Sequence, residues 1–342
     1  MIIHYKCPNC AGNMSFDAAN GTLSCPSCGH EVNIEEYPEH LMTPEFEEGD
    51  AKEYHCQNCS AVLITDNDTV ATNCNFCGSN VVLADRVVGT LAPAKVIPFT
   101  ITKEEAIAAF KKWCRNGLLT PKGFASKERL QSITGMYVPF WLFDFNGNIK
   151  VHASGNVIRT YPSGEYIYTE TKIYNIEREL HLRYLKIPAD ASIKMDDTLM
   201  DKLEPYIYGE MEDFKTPYLA GFTAEKYNLT DKELQQRATE KIKPFIQSNI
   251  TNSLSGYSTY SIKHQDVQIE TMNTYYALLP VWMITEDYEN HEYMFAMNGQ
   301  TGKVVGKPPL SKGKVAAWFG GIALGTLLVM KTISAIMGGG FL

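Results

Sequence analysis

Eight of the nine cysteines in this 342-residue chain fall into two quartets of one form. Cys7, Cys10, Cys25 and Cys28 follow the pattern Cys-x2-Cys-x14-Cys-x2-Cys. Cys56, Cys59, Cys74 and Cys77 repeat it 49 positions on, down to the phrases "YKCPNC" and "YHCQNC". Thiolate is a good zinc ligand, four thiolates complete a tetrahedron, and a Cys-x2-Cys pair delivers two sulfurs to one ion from a single tight turn. The spacing therefore predicts two metal sites per chain, each holding one structural Zn2+. Iron is the competing occupant, because four thiolates accept either metal. A closed site of this kind has no open coordination position, so its expected role is to fold a small module. Two other uses fit less well. Disulfides suit an exported chain, but "MIIHYKCPNC" lacks the apolar run of a signal peptide and Cys114 would be left over. A redox Cys-x-x-Cys is ordinarily a single motif, not four in matched pairs.

Each pair of knuckles needs a hairpin between them, which together make a zinc ribbon. In the first quartet "NMSF" and "TLS" flank the turn signal Asn20-Gly21; in the second, "AVLIT" and "TVAT" flank "DND". Gly29 and Gly78 follow the last cysteine of each quartet, where a tight turn is expected. Residues 1–40 and 41–90 are thus expected to be two tandem small ribbons, with His4, His30 and His55 as surface or outer neighbours of the metals and not ligands.

The charge of this segment sets its partners. Residues 1–90 hold three basic and thirteen acidic side chains, a net of 3 − 13 = −10, against −8 for the whole chain. Each zinc–tetrathiolate centre adds about −2 more. Phosphate binding is carried by several Lys and Arg per site. The acidic ribbons therefore argue against nucleic acid and for protein docking, although a nucleic-acid-binding ribbon protein of the transcription or replication type is the alternative reading of the motif itself.

After Arg86 the pattern changes. "KVIPF" is a strand, and Thr102-x-x-Glu105 is a capping box opening a helix with Ile107, Phe110 and Trp113 on one face. A short helix is expected at 125–133. "GMYVPFWLFDF", "NIKVHASGNVIR" and "EYIYTETKIYNI" then give successive strands. The order recurs: Thr230-x-x-Glu233 caps a helix to about Asn249, kinked or broken at Pro244, followed by strands at "YSTYSIKHQDVQIE", "TYYALLPVWMITEDY", "HEYMFAM" and "KVVG". Pro139 and Trp141 match Pro280 and Trp282. This points to a duplicated helix-plus-antiparallel-sheet region with units at 91–190 and 191–310, on a weaker match than that of the cysteines. Cys114 is expected to be a small buried hydrophobe. No Walker loop, His-Glu-x-x-His, nucleophile elbow or dinucleotide fingerprint is present, so a non-enzymatic protein is expected. "NGQTGK" at 298–303 fails the Walker spacing and fits a Gly-rich hairpin.

Residues 315–330 are sixteen in a row without a charge, about 24 Å as a helix; extended to Met337 the run reaches about 35 Å and includes Lys331. A transmembrane helix over 314–337 is expected, with Lys331 reaching outward near one end. Lys303, Lys307, Lys312 and Lys314 precede it, which by the positive-inside rule keeps the N-terminal bulk cytoplasmic, a compartment that suits reduced thiolates. Ala317, Gly321 and Gly325 form a small-xxx-small stripe on which another helix can pack.

The doubled ribbon, the phrases "YVPFWLFD" and "LLPVWM", the hairpin "NGQTGKVVG" and the apolar C-terminal helix together resemble a family of bacterial membrane-anchored zinc-ribbon proteins. Such proteins are encoded in Bacillus-type bacteria beside a phage-shock-protein A homologue and a band-7 (SPFH, virion-core-like) protein. The resemblance implies an adaptor that recruits envelope-stress proteins to the membrane, with sibling zinc-ribbon, band-7-like and phage-shock-protein-A-like subunits as partners. The expected fold class is α+β: two tandem ribbons, a duplicated helix-and-sheet region, and one C-terminal transmembrane helix.

Overall fold

Val, Ile, Tyr and Phe are so dense between residues 134 and 190 that the backbone stays extended almost without interruption. The computed structural model describes residues 2–3, 5–38, 53–56, 58, 62–64, 69–74, 79–83, 93–121, 124, 133–289 and 291–336. In chain order its strands begin with β1 (Ile2–Ile3), β2 (Ser15–Asp17), β3 (Thr22–Ser24), β4 (Glu31–Val32), β5 (Glu53–His55), β6 (Val62–Ile64), β7 (Thr69–Asn73) and β8 (Asn80–Leu83). They continue with β9 (Lys95–Val96), β10 (Thr134–Ser163), β11 (Tyr166–Asp190), β12 (Glu212–Asp213), β13 (Thr223–Glu225), β14 (Thr259–Tyr288), β15 (His291–Asn298) and β16 (Val304–Gly306). The helices are α1 (Lys103–Asn116), α2 (Asp197–Lys202), α3 (Asp231–Ser253) and α4 (Lys312–Ile336). The fold is α+β, with a cysteine cluster near the N-terminus, sheets and helices, and one apolar helix at the C-terminal end.

Where successive strands were expected, the structure has single long ones. β10 runs for 30 residues straight through Asn146, Gly147 and Asn148, and β14 for 30 residues through Glu270 and Thr271. The break signal at Gly147 misleads because the residue lies in the pleat, opposite Leu182 and Ile269, where a Cβ would come within 3.3 Å of Ile149. α3 likewise passes through Pro244 and ends at Ser253; Pro244 is on its exposed side, where water can take the carbonyl that proline leaves free. The helix expected at 125–133 falls almost wholly outside the described residues.

The register carries an internal symmetry. β10 and β14 pair antiparallel, and Val138 lies opposite Leu279, the counterpart residues of "VPFW" and "LPVW". On the outer edges, β9 pairs parallel with β14 (Val96 with Leu278), while β13 pairs parallel with β10 (Ala224 with Tyr137). Each strand–helix–hairpin unit therefore gives its leading strand to the other unit's sheet, about a pseudo-two-fold axis near Val138 and Leu279. Both helices start at capping boxes: the Thr102 and Glu105 pair at α1, the Thr230 and Glu233 pair at α3. "NGQTGK" is the turn between β15 and β16, closed by Asn298 N–H donating to the Lys303 carbonyl at 2.9 Å.

The core follows the same plan. α3 lays Leu234, Ala238, Ile242, Ile246 and Ile250 on one face of the β11–β10–β14 sheet, against Phe145, Ile149, Val151 and Ile176. Near the axis Phe99 stacks on Phe222 with centroids 4.1 Å apart and meets Tyr137 and Trp282 edge-on. Thr230 closes the α3 capping box from both sides, accepting from the Glu233 N–H while Glu233 accepts from the Thr230 N–H at 2.7 Å. Thr230→Ala is expected to lower stability by about 1 kcal/mol, seen as a lower denaturant midpoint at unchanged slope.

Candidate metal centre

Cys7, Cys10, Cys25 and Cys28 converge: their Sγ atoms all lie within 4.8 Å of one another. The two knuckles are built alike. Cys7 N–H donates to the Gly12 carbonyl at 2.7 Å and Cys25 N–H to the His30 carbonyl at 2.9 Å. The residue after each second cysteine turns left-handed, Ala11 at φ 56° and Gly29 at φ 72°. Glycine accepts that conformation freely, whereas alanine holds it at a cost. The β2–β3–β4 sheet joins the knuckles.

The donor set fits a tetrahedral metal. Cys7 Sγ lies 3.6 Å from Cys28 Sγ and Cys10 Sγ 3.5 Å from Cys25 Sγ, close to the ~3.8 Å edge of a tetrahedron with Zn–S bonds of about 2.3 Å and far too long for a disulfide. The four thiols also perturb one another's ionisation. Burial works against the Cys25 thiolate, but the N–H groups of Cys28 and Ser27 and the Cys10 thiol outweigh it and hold Cys25 at about 6. Cys10 is pushed up to about 12: the Gly12 backbone works the other way, but the neighbouring Cys28 and Cys25 thiols prevail. Four sulfurs this close cannot all be anionic without a cation between them. Cys7 and Cys25 are buried, while Cys10 and Cys28 face solvent.

The second quartet is placed in part. Cys56 and Cys74 are buried against Val81 and Leu83, and Cys74 N–H donates to the Ser79 carbonyl at 2.8 Å, the bond that defines each knuckle of the first site. Cys59 and Cys77 lie outside the described residues. The strands around this quartet divide: β5 and β6 form their own hairpin, while β7 and β8 join the large sheet, β8 beside β1 and β7 beside β13. Val70, Ala71, Val81 and Val82 are buried there, so these strands belong to the body as much as to a ribbon. The first ribbon is docked as well. Phe16 N–H donates to the Ala220 carbonyl at 2.8 Å, Phe16 packs on Tyr218 and Phe222, and Glu35 meets Lys215 at 2.6 Å, which holds the Glu35 carboxyl below its usual range. His30 is exposed and contributes its carbonyl rather than its ring; His4 lies outside the described residues. Cys114 is buried on α1, as expected of it.

At the other end, α4 contains a stretch, Lys312–Ile333, long and apolar enough to cross a membrane, and none of it is buried in the body. Sequence reasoning did not anticipate two clusters. Arg237 on α3 reaches Asp190, Asp197 and Asp201 at 2.7–2.9 Å, and His152 faces His264 across two strands. Their members are far apart in the chain and leave no local signature.

The structure thus defines an α+β protein with a four-cysteine cluster able to hold a metal ion and, among the described residues, one helix apolar and long enough to cross a membrane. The chain is 57% identical over 341 residues, 100% of both chains, to the uncharacterized protein YdjG of Bacillus subtilis (strain 168), and it belongs to the family of that protein. No family model matches the chain, and no solved structure matches it.

Proposed function

We propose that this protein is a non-enzymatic adaptor anchored in a membrane by α4, assembling a complex of membrane-associated proteins around its metal-stapled body. The observation that carries the reading is the contrast within α4. Its apolar surface is bare, yet its base is tied down: Ser311 N–H donates to the Leu119 carbonyl at 2.8 Å and Lys314 Nζ to the Thr120 carbonyl at 2.7 Å. An apolar helix left bare calls for lipid, and a tethered base keeps the body at the lipid surface. Lys303, Lys307, Lys312 and Lys314 before the helix favour a cytoplasmic body. Both quartets are taken as structural zinc sites.

Two surfaces are offered to partners. The arm formed by β10 and β11 exposes Tyr166, Ile167 and Ile173, and α4 carries the stripe Ala317, Gly321 and Gly325. By the family resemblance, the proposed partners are sibling zinc-ribbon, band-7-like and phage-shock-protein-A-like subunits in an envelope-stress response.

The test is purification of tagged full-length protein from mild detergent beside a chain ending before Val315. The shortened chain is expected to move from the membrane fraction to the soluble one and to lose a defined set of membrane-associated partners. A monomeric, partnerless full-length protein would sink the adaptor reading. Recovery of nucleic acid with both forms would replace it with the nucleic-acid reading.

A further inference from the structure

The sheet face opposite α3 brings together side chains of metal-ligating type apart from the two cysteine quartets. His152 on β10 lies directly between Glu177 on β11 and His264 on β14, so the three form one row across three strands. The row depends on a bulge. Strand alternation would put Ile262 and His264 on the same face, and Ile262 packs under α3. The register shifts between His152 and Ala153, leaving Lys263 as the extra residue. The shift turns His264 to the opposite face, level with His152.

The two imidazoles are near enough to be drawn onto one cation. The imidazole rings stand 6.3 Å apart at 31°. With metal–nitrogen bonds of about 2.0–2.1 Å, two imidazoles on one ion have ring centres roughly 5–6 Å apart, so the pair needs to close by about an ångström or less. Both side chains are exposed and free to do so. Glu177 Oε1 lies 3.5 Å from His152 Nδ1. A proton held on Nδ1 by that carboxylate leaves the Nε2 lone pair for a metal, the carboxylate–histidine–metal arrangement that orients ligands elsewhere. The next row holds Lys150 between Glu179, 3.8 Å away, and Asp266. Together Glu177, Glu179, Asp266 and Lys150 leave this part of the face net negative.

We propose that Glu177, His152 and His264 form a solvent-facing site for a first-row divalent cation of the kind that prefers imidazole, such as Zn2+, Ni2+ or Cu2+. A bound ion would tie the β10–β11 arm to β14.

The test is isothermal titration of Ni2+ into untagged full-length protein in detergent, its cysteine sites already loaded with zinc. About one further equivalent is expected to bind. His152→Gln and His264→Gln should each remove it, Glu177→Gln should weaken it about tenfold, and His181→Gln, on the same face, should leave it unchanged. All four positions are exposed, and circular dichroism of each variant checks that the fold is kept. Absence of the extra equivalent in the natural protein, or its survival in either histidine variant, would overturn the proposal.

Discussion

Cys7→Ser is expected to lose a whole equivalent of metal and to unfold the first ribbon. Removal of one sulfur leaves three ligands and a hydroxyl, and structural tetrathiolate sites bind metal and fold as one step, with apparent binding free energies of about 10–16 kcal/mol in isolated zinc modules. The damage should not stop at the ribbon. Cys7, Cys25, Phe16 and Leu23 belong to the same apolar cluster as Phe99, Tyr137, Phe222 and Trp282. Loss of the ribbon bares Phe222, the ring on which Phe99 stacks. The effect should therefore exceed the ~3–5 kcal/mol of a single large-to-small core change. Elemental analysis of the detergent-purified variant should show one metal fewer than the natural chain, and limited proteolysis should cut within residues 5–38. Cys114→Ser, on α1, should leave the metal content unchanged. A Cys7→Ser protein with full metal content and an uncut ribbon would refute the site.

Arg237→Met should be the most costly change away from the metal. Asp190 is fully buried, and burial pushes its carboxyl up to about 6 even though the Arg237 guanidinium pulls the other way. The Arg237 Nη2–Asp190 Oδ1 contact of 2.7 Å is a charge contact without hydrogen-bond alignment, so the arginine neutralises Asp190 more than it solvates it. Removing the guanidinium strands a buried carboxylate beside Asp197 and Asp201, at a cost of about 3–5 kcal/mol near neutral pH. The sign with pH follows. An acid whose folded pKa lies above its unfolded value is stabilising when protonated, with that contribution present below about 4 and lost as pH rises through about 6. Without Arg237 the folded pKa rises further. The gap between variant and natural protein should therefore be largest near pH 8 and shrink toward pH 5. Denaturant unfolding of both at the two pH values reads it, and a gap that widens on acidification would refute the assignment.

Local chemistry was legible in the sequence; long-range pairing was not. The cysteine spacing announces the first site because both knuckles are complete within four residues each. The capping boxes at Thr102 and Thr230 and the turn at Asn298–Lys303 are equally local, and all three stand in the structure. Strand length was misread at Asn146-Gly147-Asn148, because a glycine seated in a pleat looks the same in sequence as one in a turn. The strand at "KVIPF" was legible and stands as β9, but its exchange with β13 was not, since nothing local in a two- or three-residue strand names its partner. The Arg237 cluster and the His152–His264 row depend on register and on one bulged lysine, which only the folded sheet reveals.

That exchange also fixes an order of events during synthesis. β10 leaves the ribosome long before β14, its partner along residues 134–156, and β9 must wait for β14 as well. Contacts this distant in sequence form late. The growing chain therefore carries an open sheet edge until Tyr288 has been made, and only a short hairpin and linker separate that point from α4. Closure of the body and emergence of its apolar helix thus fall almost together in synthesis.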